Sequence, residues 1–232
     1  MNTPLTDRDF WRRFWREKSI GWCSASDGFV PEWHGMVSQR LAPLRGTNCI
    51  EIGCFPGRYM HYFARTYGMT VSGVDFVESD EAFPFEVHNV DFLDFDTSKR
   101  YGLVCSFGFV EHFDDIAMVV SKHLELLDDN GVVLITVPNM VDGWRYAWRR
   151  AFDREMFRTH NRHAMTREHI ADALSGLGCA EVAISEVKFS DRGFGNRSLS
   201  ERLILGWAGR LLKWAPRVDA GLASELLIFV RR

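Results

Sequence analysis

No stretch of this 232-residue chain approaches the roughly 20 consecutive apolar residues that cross a bilayer. The first 14 residues, polar and then charged-aromatic, lack the apolar centre of a signal peptide. No strong basic excess is present either. The formal charge is −3, which gives no general support for a nucleic-acid partner. The five cysteines (Cys23, Cys49, Cys54, Cys105, Cys179) are odd in number and contain no C-x-x-C pair. Cys49 and Cys105 sit inside apolar runs, where a free thiol behaves as a small hydrophobe. This points to reduced thiols, not a disulfide framework, and to a cytoplasmic location. Internal repeats and low-complexity tracts are missing. So are G-x-G-x-x-G, the P-loop lysine motif and the D/N-P-P-Y/F motif of nucleic-acid amino-methylating enzymes.

What remains is a chain with 46% hydrophobic residues, enough for one substantial core. Residues 1–46 are rich in Trp, Phe and Arg and read as an N-terminal helical lid. A helix over Arg8–Lys18 gathers Phe10, Trp11, Phe14 and Trp15 on one side, with Arg12, Arg13 and Arg16 mostly on the other. A second helix is expected over His34–Leu44. Residues 47–190 alternate short apolar runs with helical patterns. Strands are expected at Cys49–Ile52, Thr70–Val74, Phe85–His88, Leu103–Phe107, Val132–Val137 and Glu181–Val187. Helices are expected at Arg58–Tyr67, Ile116–Leu127 and Thr166–Leu177, with Asp128-Asp129-Asn130-Gly131 as a stop signal. Residues 191–222 read as a helical insertion (Ser198–Trp214), and 223–232 as a closing strand over Ser224–Val230. Strand–helix alternation of this kind argues for a largely parallel sheet covered on both faces.

Four stretches carry chemistry. In Cys49-Ile50-Glu51-Ile52-Gly53-Cys54-Phe55-Pro56-Gly57-Arg58, an apolar strand reaches an acid, turns through Gly53 and opens a helix after Gly57. The next strand, Val71-Ser72-Gly73-Val74-Asp75-Phe76, ends in an acid about 20 residues past that turn. There it suits the two hydroxyls of a ribose, with Phe76 beside it to pack on a base. Asn89-Val90-Asp91-Phe92 offers a further acid, with a solvated loop as the alternative. Tyr101 to Phe113 runs from an apolar strand-like segment into Gly108-Phe109-Val110-Glu111-His112. That acid–imidazole pair belongs at the carboxyl edge of the sheet, where open α/β folds gather their sites.

Taken in order, these stretches resemble class I S-adenosylmethionine-dependent methyltransferases, in particular the ubiquinone-biosynthesis-like small-molecule group. Glu51, Gly53 and Gly57 fall on the acid-x-Gly-x-Gly-x-Gly motif, with Phe55 in place of the middle glycine. Being before Pro56, Phe55 is pushed to an extended backbone, which turns its ring from the ligand. The run Tyr101-Gly102-Leu103-Val104 through Glu111-His112 resembles "F/Y-D-x-V…L-E-H", with Gly102 in place of Asp. Val137-Pro138-Asn139 after the fifth strand is also common there. The resemblance spans about residues 47–190. It implies a Rossmann-like, doubly wound, seven-stranded, mostly parallel α/β sheet with an antiparallel last strand beside the sixth. It implies S-adenosyl-L-methionine as cofactor, held by Glu51, Gly53, Cys54, Gly57, Asp75, Phe76, Asp91, Phe92 and the backbone carbonyl of Phe107.

A sulfonium methyl is already electrophilic, so the protein must mainly hold a nucleophile in line with it in a dry site. A hydroxyl nucleophile gains from a base. His112 is the candidate, with Glu111 to orient it or touch the acceptor; the structural alternative is a histidine capping the following helix. Trp15, Trp144, His160 and His163 are candidates for acceptor binding. The His160/His163 pair lacks further ligands at suitable spacing, and no metal is expected. Basic-aromatic segments around Trp144–Phe152 and 198–214 pack as a lid or meet a membrane surface or anionic group, which would suit a lipid-linked or glycan acceptor. The expected reaction is methylation of a small-molecule, sugar or glycolipid hydroxyl. N- or C-methylation, or a non-catalytic cofactor-binding domain, are the alternatives. Oligomeric state is not indicated.

Overall fold

The computed structural model describes residues 5–23, 28–77, 82–139, 158–188 and 223–232. Seven strands form one sheet in the order β3-β2-β1-β4-β5-β7-β6. They are β1 (Asn48–Ile52), β2 (Thr70–Asp75), β3 (Glu86–Asn89), β4 (Tyr101–Phe107), β5 (Leu127–Pro138), β6 (Glu181–Lys188) and β7 (Ala223–Arg231). The pairs among β1 to β5 are all parallel. β7 runs antiparallel between β5 and β6 and pairs with both. This is the Rossmann-like, doubly wound α/β sheet that the resemblance implied, with the last strand reversed.

The strands are buried because alternate residues serve two layers. Ile50, Ile52, Val104, Val133 and Ile135 join one cluster with Val119, Val120, Ile170 and Leu174. Cys49, Leu103, Cys105, Val132 and Leu134 join the other with Val37, Leu41, Met60 and Phe63. A period of two thus feeds both faces, as expected for a sheet with helices on each side. The helices are α1 (Arg8–Glu17), α2 (His34–Leu41), α3 (Arg58–Tyr67), α4 (Ile116–Glu125) and α5 (Arg167–Ser175).

Several boundaries differ from expectation for local reasons. α2 ends at Leu41 and tightens into a 3-10 turn over Ala42–Leu44. Pro43 has no N–H to continue the α-helical ladder. α4 ends at Glu125, short of Leu127. Leu127 already pairs with Tyr101, and the next aligned pair is Leu103 with Val132. The Asp-Asp-Asn-Gly tract is therefore accommodated as an irregularity inside β5 and not as a loop before it; Asp128 Oδ1 accepts from Asn130 N at 3.1 Å. α5 starts after Thr166, whose hydroxyl accepts from His169 N as an N-cap. The expected helix 198–214 and Trp144 lie outside the described residues. All five cysteines are free. No described helix is long and apolar enough to cross a membrane.

Candidate active site

β1 and β2 end side by side, and their carboxyl ends carry the first part of the site. Glu51 is buried on β1, and its Oε2 has no hydrogen-bond partner. Burial, reinforced by the nearby Asp75 charge, raises its carboxyl well above the usual range; a backbone hydrogen bond from Met60 opposes this. The turn after β1 is pinned to β2: Gly53 N donates to Val74 O at 2.8 Å, and Gly57 N donates to Cys54 O at 2.6 Å. Both glycines have positive φ, +69° and +84°. A Cβ on Gly53 would stand 2.6 Å from Phe109 Cδ2, and one on Gly57 would collide with the ring of Phe83.

The side chain of Cys54 turns into the core and fills the space over Gly73, so any contact it makes with a ligand is through its backbone. Phe55, cis to Pro56, is buried. Its ring leans on Trp15 at 5.2 Å and Trp22 at 4.9 Å. Asp75 accepts from Phe55 N at 3.0 Å through Oδ2 and from Val77 N at 2.9 Å through Oδ1. Burial raises its pKa, and those backbone donors pull the other way. The two bonds leave free lone pairs on both oxygens.

Around this centre, Phe76 and Asn89 receive Arg8 of α1. Its Nε donates to Phe76 O at 3.3 Å and its Nη2 to Asn89 Oδ1 at 3.0 Å, with the guanidinium 6.0 Å from the Phe76 ring. Asp91 turns its own loop by accepting from Leu93 N at 2.9 Å. The Phe92 ring is in the core against Phe109 and His123, leaving its backbone for any ligand. Phe107 stacks on Tyr59 at 3.9 Å and on Trp33 at 5.3 Å.

The second part of the site follows β4. A 3-10 turn, Val110–His112, buries both Glu111 and His112. The His112 Nδ1–H donates to the carbonyl of Thr159 at 2.7 Å. A carbonyl can only accept, so this bond sets the tautomer and leaves the Nε2 lone pair 4.0 Å from Glu111 Oε1. Burial and the neighbouring His160 lower the His112 pKa to about 3. Burial raises that of Glu111 to about 8. At neutral pH the imidazole is therefore neutral, and the carboxyl mostly protonated. His112 does not cap the following helix; Asp115 does, accepting from Met118 N at 2.9 Å.

Segment 159–161 is clipped to this turn. Asn161 N donates to Glu111 O at 2.6 Å, and its Nδ2 donates to Phe113 O at 2.9 Å. The His160 ring thereby comes 4.5 Å from that of His112. His163 lies in the 3-10 turn Arg162–Met165. The N-terminal residues meet this turn: Trp11 packs edge-on against His112 at 4.8 Å, and Leu5 N donates to His112 O at 2.8 Å. Sequence reasoning missed Arg8, Trp11 and the Thr159 carbonyl, because nothing in their spacing marks what they meet. Glu225 was also missed. It is an acid inside an apolar run, opposite Pro138 at the same edge, and burial raises its pKa to about 7. That break in the apolar run was the available signal.

A family model described as a methyltransferase domain matches residues 33–184. The chain belongs to the methyltransferase family. Structural relatives of this methyltransferase are distant in sequence but alike in fold. The phosphoethanolamine N-methyltransferase 2 of Haemonchus contortus, solved with S-adenosyl-L-methionine, has 15% identity and a TM-score of 0.62 over 89% of this chain and 54% of that one. The present chain thus spans about half the length of that enzyme. The plantazolicin methyltransferase BpumL, solved with SAH, has 12% identity and a TM-score of 0.59 over 98% and 92%. An S-adenosylmethionine-dependent methyltransferase from Mesorhizobium loti has 16% identity and a TM-score of 0.57 over 89% and 99%. None of the curated proteins matches the methyltransferase by sequence.

Proposed function

We propose that this methyltransferase moves a methyl group from S-adenosylmethionine to a hydroxyl of a small acceptor, a sugar or a glycolipid, with His112 receiving the proton. The observation that carries the reading is the anchored imidazole. Its Nδ1–H is committed to Thr159 O, so its one remaining lone pair, on Nε2, lies in a buried patch at the carboxyl edge.

The residues present fit the cofactor. Glu51 Oε2 is a buried carboxyl oxygen without a partner, and Asp75 keeps lone pairs for ribose hydroxyls. Both suit a ligand that brings positive charge and O–H donors. When bound, S-adenosylmethionine supplies an electrophilic methyl on a sulfonium centre. The chain contributes the rest. Glu51, Gly53, Gly57, Asp75, Phe76 and the backbone at Cys54, Asp91, Phe92 and Phe107 would hold the nucleoside and amino-acid ends; two solved relatives holding S-adenosylmethionine or SAH support the cofactor.

An imidazole with a pKa near 3 is a weak base for a resting alcohol. It is adequate once the oxygen bonds carbon, because the hydroxyl proton is then strongly acidic, so proton transfer is late. The imidazolium that forms lies 4.0 Å from Glu111 Oε1, and passes its proton on to solvent after transfer. Trp11 and Trp15 keep water out over His112 and Phe55. Trp15, His160, His163 and Trp144 are the proposed acceptor contacts.

A second reading, transfer to an amine, is favoured by Glu225, a carboxyl at the same edge that a cationic acceptor would ionise. Calorimetry with S-adenosylmethionine tests the cofactor directly, and absence of binding ends the proposal. Incubation with labelled cofactor and cell extract then identifies the acceptor fraction. Mass spectrometry of the labelled product separates an ether from an amine. His112→Gln is expected to lower kcat by about 10²–10⁴-fold with cofactor affinity unchanged. A kcat within a few-fold of the parent removes His112 as proton acceptor.

A further inference from the structure

We propose that Glu111, His112 and His160 form a binding site for a zinc-type divalent cation, and that an ion held there stops methyl transfer by taking the lone pair of His112. The three side chains each offer one ligand atom, all within 4.8 Å of one another, and all three residues are buried. One carboxylate oxygen and two imidazole nitrogens make a donor set typical of Zn²⁺, with a fourth position open. The expected absence of metal rested on the spacing of His160 and His163. The cluster uses a different pairing, brought together across the fold by Asn161 on Glu111 and by His112 on Thr159.

Two independent features support a cation at this place. Glu111 Oε2 is buried without a hydrogen-bond partner. A carboxyl oxygen in that state is costly unless a proton or a cation satisfies it. The His112 Nδ1–H to carbonyl bond is the outer-shell arrangement that orients metal-bound histidines through Nε2. Ligands 2.0–2.1 Å from a tetrahedral zinc lie about 3.3 Å apart. The Nε2 to Oε1 separation of 4.0 Å must therefore shrink by about 0.7 Å, and the widest donor separation, up to 4.8 Å, by about 1.5 Å, through side-chain rotation on binding.

The functional consequence is forced by the tautomer. With Nδ1–H engaged by Thr159 O, Nε2 is the sole basic atom of His112. A bound ion occupies it, and no proton acceptor remains. Binding stands on geometry alone; the inhibition rests on His112 being the base, as proposed above.

The test uses the full chain stripped of metal by chelator. Titration with ZnCl₂ in a calorimeter is expected to give one saturable site, and Co²⁺ in place of Zn²⁺ to give the visible absorption of a tetrahedral ion. Glu111→Gln and His160→Ala are each expected to weaken Zn²⁺ binding by more than about 10-fold. Circular dichroism checks that each variant is folded, and either one suffices. Absence of one-to-one uptake, or uptake unchanged in the folded variants, overturns the site. With labelled S-adenosylmethionine and the reactive extract fraction, Zn²⁺ is expected to abolish transfer and chelator to restore it. Transfer that instead requires the ion overturns the inhibition. Zinc uptake by a protein that fails to bind S-adenosylmethionine leaves the site standing and removes the methyl-transfer reading; the reverse result removes the site alone.

Discussion

Phe55 ties the turn after β1 to the N-terminal region through Trp15 and Trp22. A glycine at this position could pack against neither. The departure from the glycine pattern is thus matched by aromatic residues elsewhere, and the backbone N–H of Phe55 still serves Asp75. Phe55→Ala is expected to destabilise the protein by about 3–5 kcal/mol, since it empties a buried aromatic position. Denaturant titration measures that loss; a change below about 0.5 kcal/mol would mean that the ring is replaceable there. Sequence reasoning reached Glu51, Gly53, Gly57, Asp75 and His112 because strand ends and turns leave local marks. It did not reach the partners of those residues. Trp11 and Thr159 meet His112 only through the fold, and Glu225 arrives from the last strand.

At the level of elements, α1 is peculiar. It has no fully buried residue, yet it touches three parts of the site, at Phe76, Phe55 and His112. Its N-cap is Asp7, whose Oδ1 accepts from Phe10 N at 2.7 Å. Asp7→Ala is expected to cost the helix about 1 kcal/mol. Because α1 contributes little to the core, the melting temperature should stay nearly constant while affinity for S-adenosylmethionine falls. Parallel calorimetry and thermal melts decide this, and a fall in melting temperature with affinity intact would make α1 a structural element instead of a lid. The strands were the most legible elements, since their apolar runs feed two cores by alternation. Helix ends were less legible: Pro43 tightens one, and the pairing of Tyr101 with Leu127 draws Leu127, expected to end α4, into β5.

For the molecule as a whole, buried ionisable groups set a pH dependence. His112 and His123 have folded pKa values lowered by burial to about 3 and about 4. The unfolded chain takes up protons on them first, so stability is lost as pH falls below about 6.5. Glu111 and Glu225 are raised to about 8 and about 7. The native state holds those protons longer, so stability is lost as pH rises from about 4.5 through 8. Between about 4.5 and 6.5 the two pairs oppose each other. The unliganded protein is therefore expected to be most stable at mildly acidic pH and to melt at lower temperature at pH 8 than at pH 6. A melting temperature that climbs steadily from pH 6 to pH 8 would contradict this assignment of protons.

The reversed strand has a consequence for biogenesis. β6 borders the sheet only through β7, and β7 is also the neighbour of β5. During synthesis, β6 lacks its native hydrogen-bonding neighbour until residues 223–231 leave the ribosome. Contacts between β5 and β7 join segments far apart in the chain, which slows their formation. A stalled or shortened product would expose two strand margins at once and tend to associate with copies of itself.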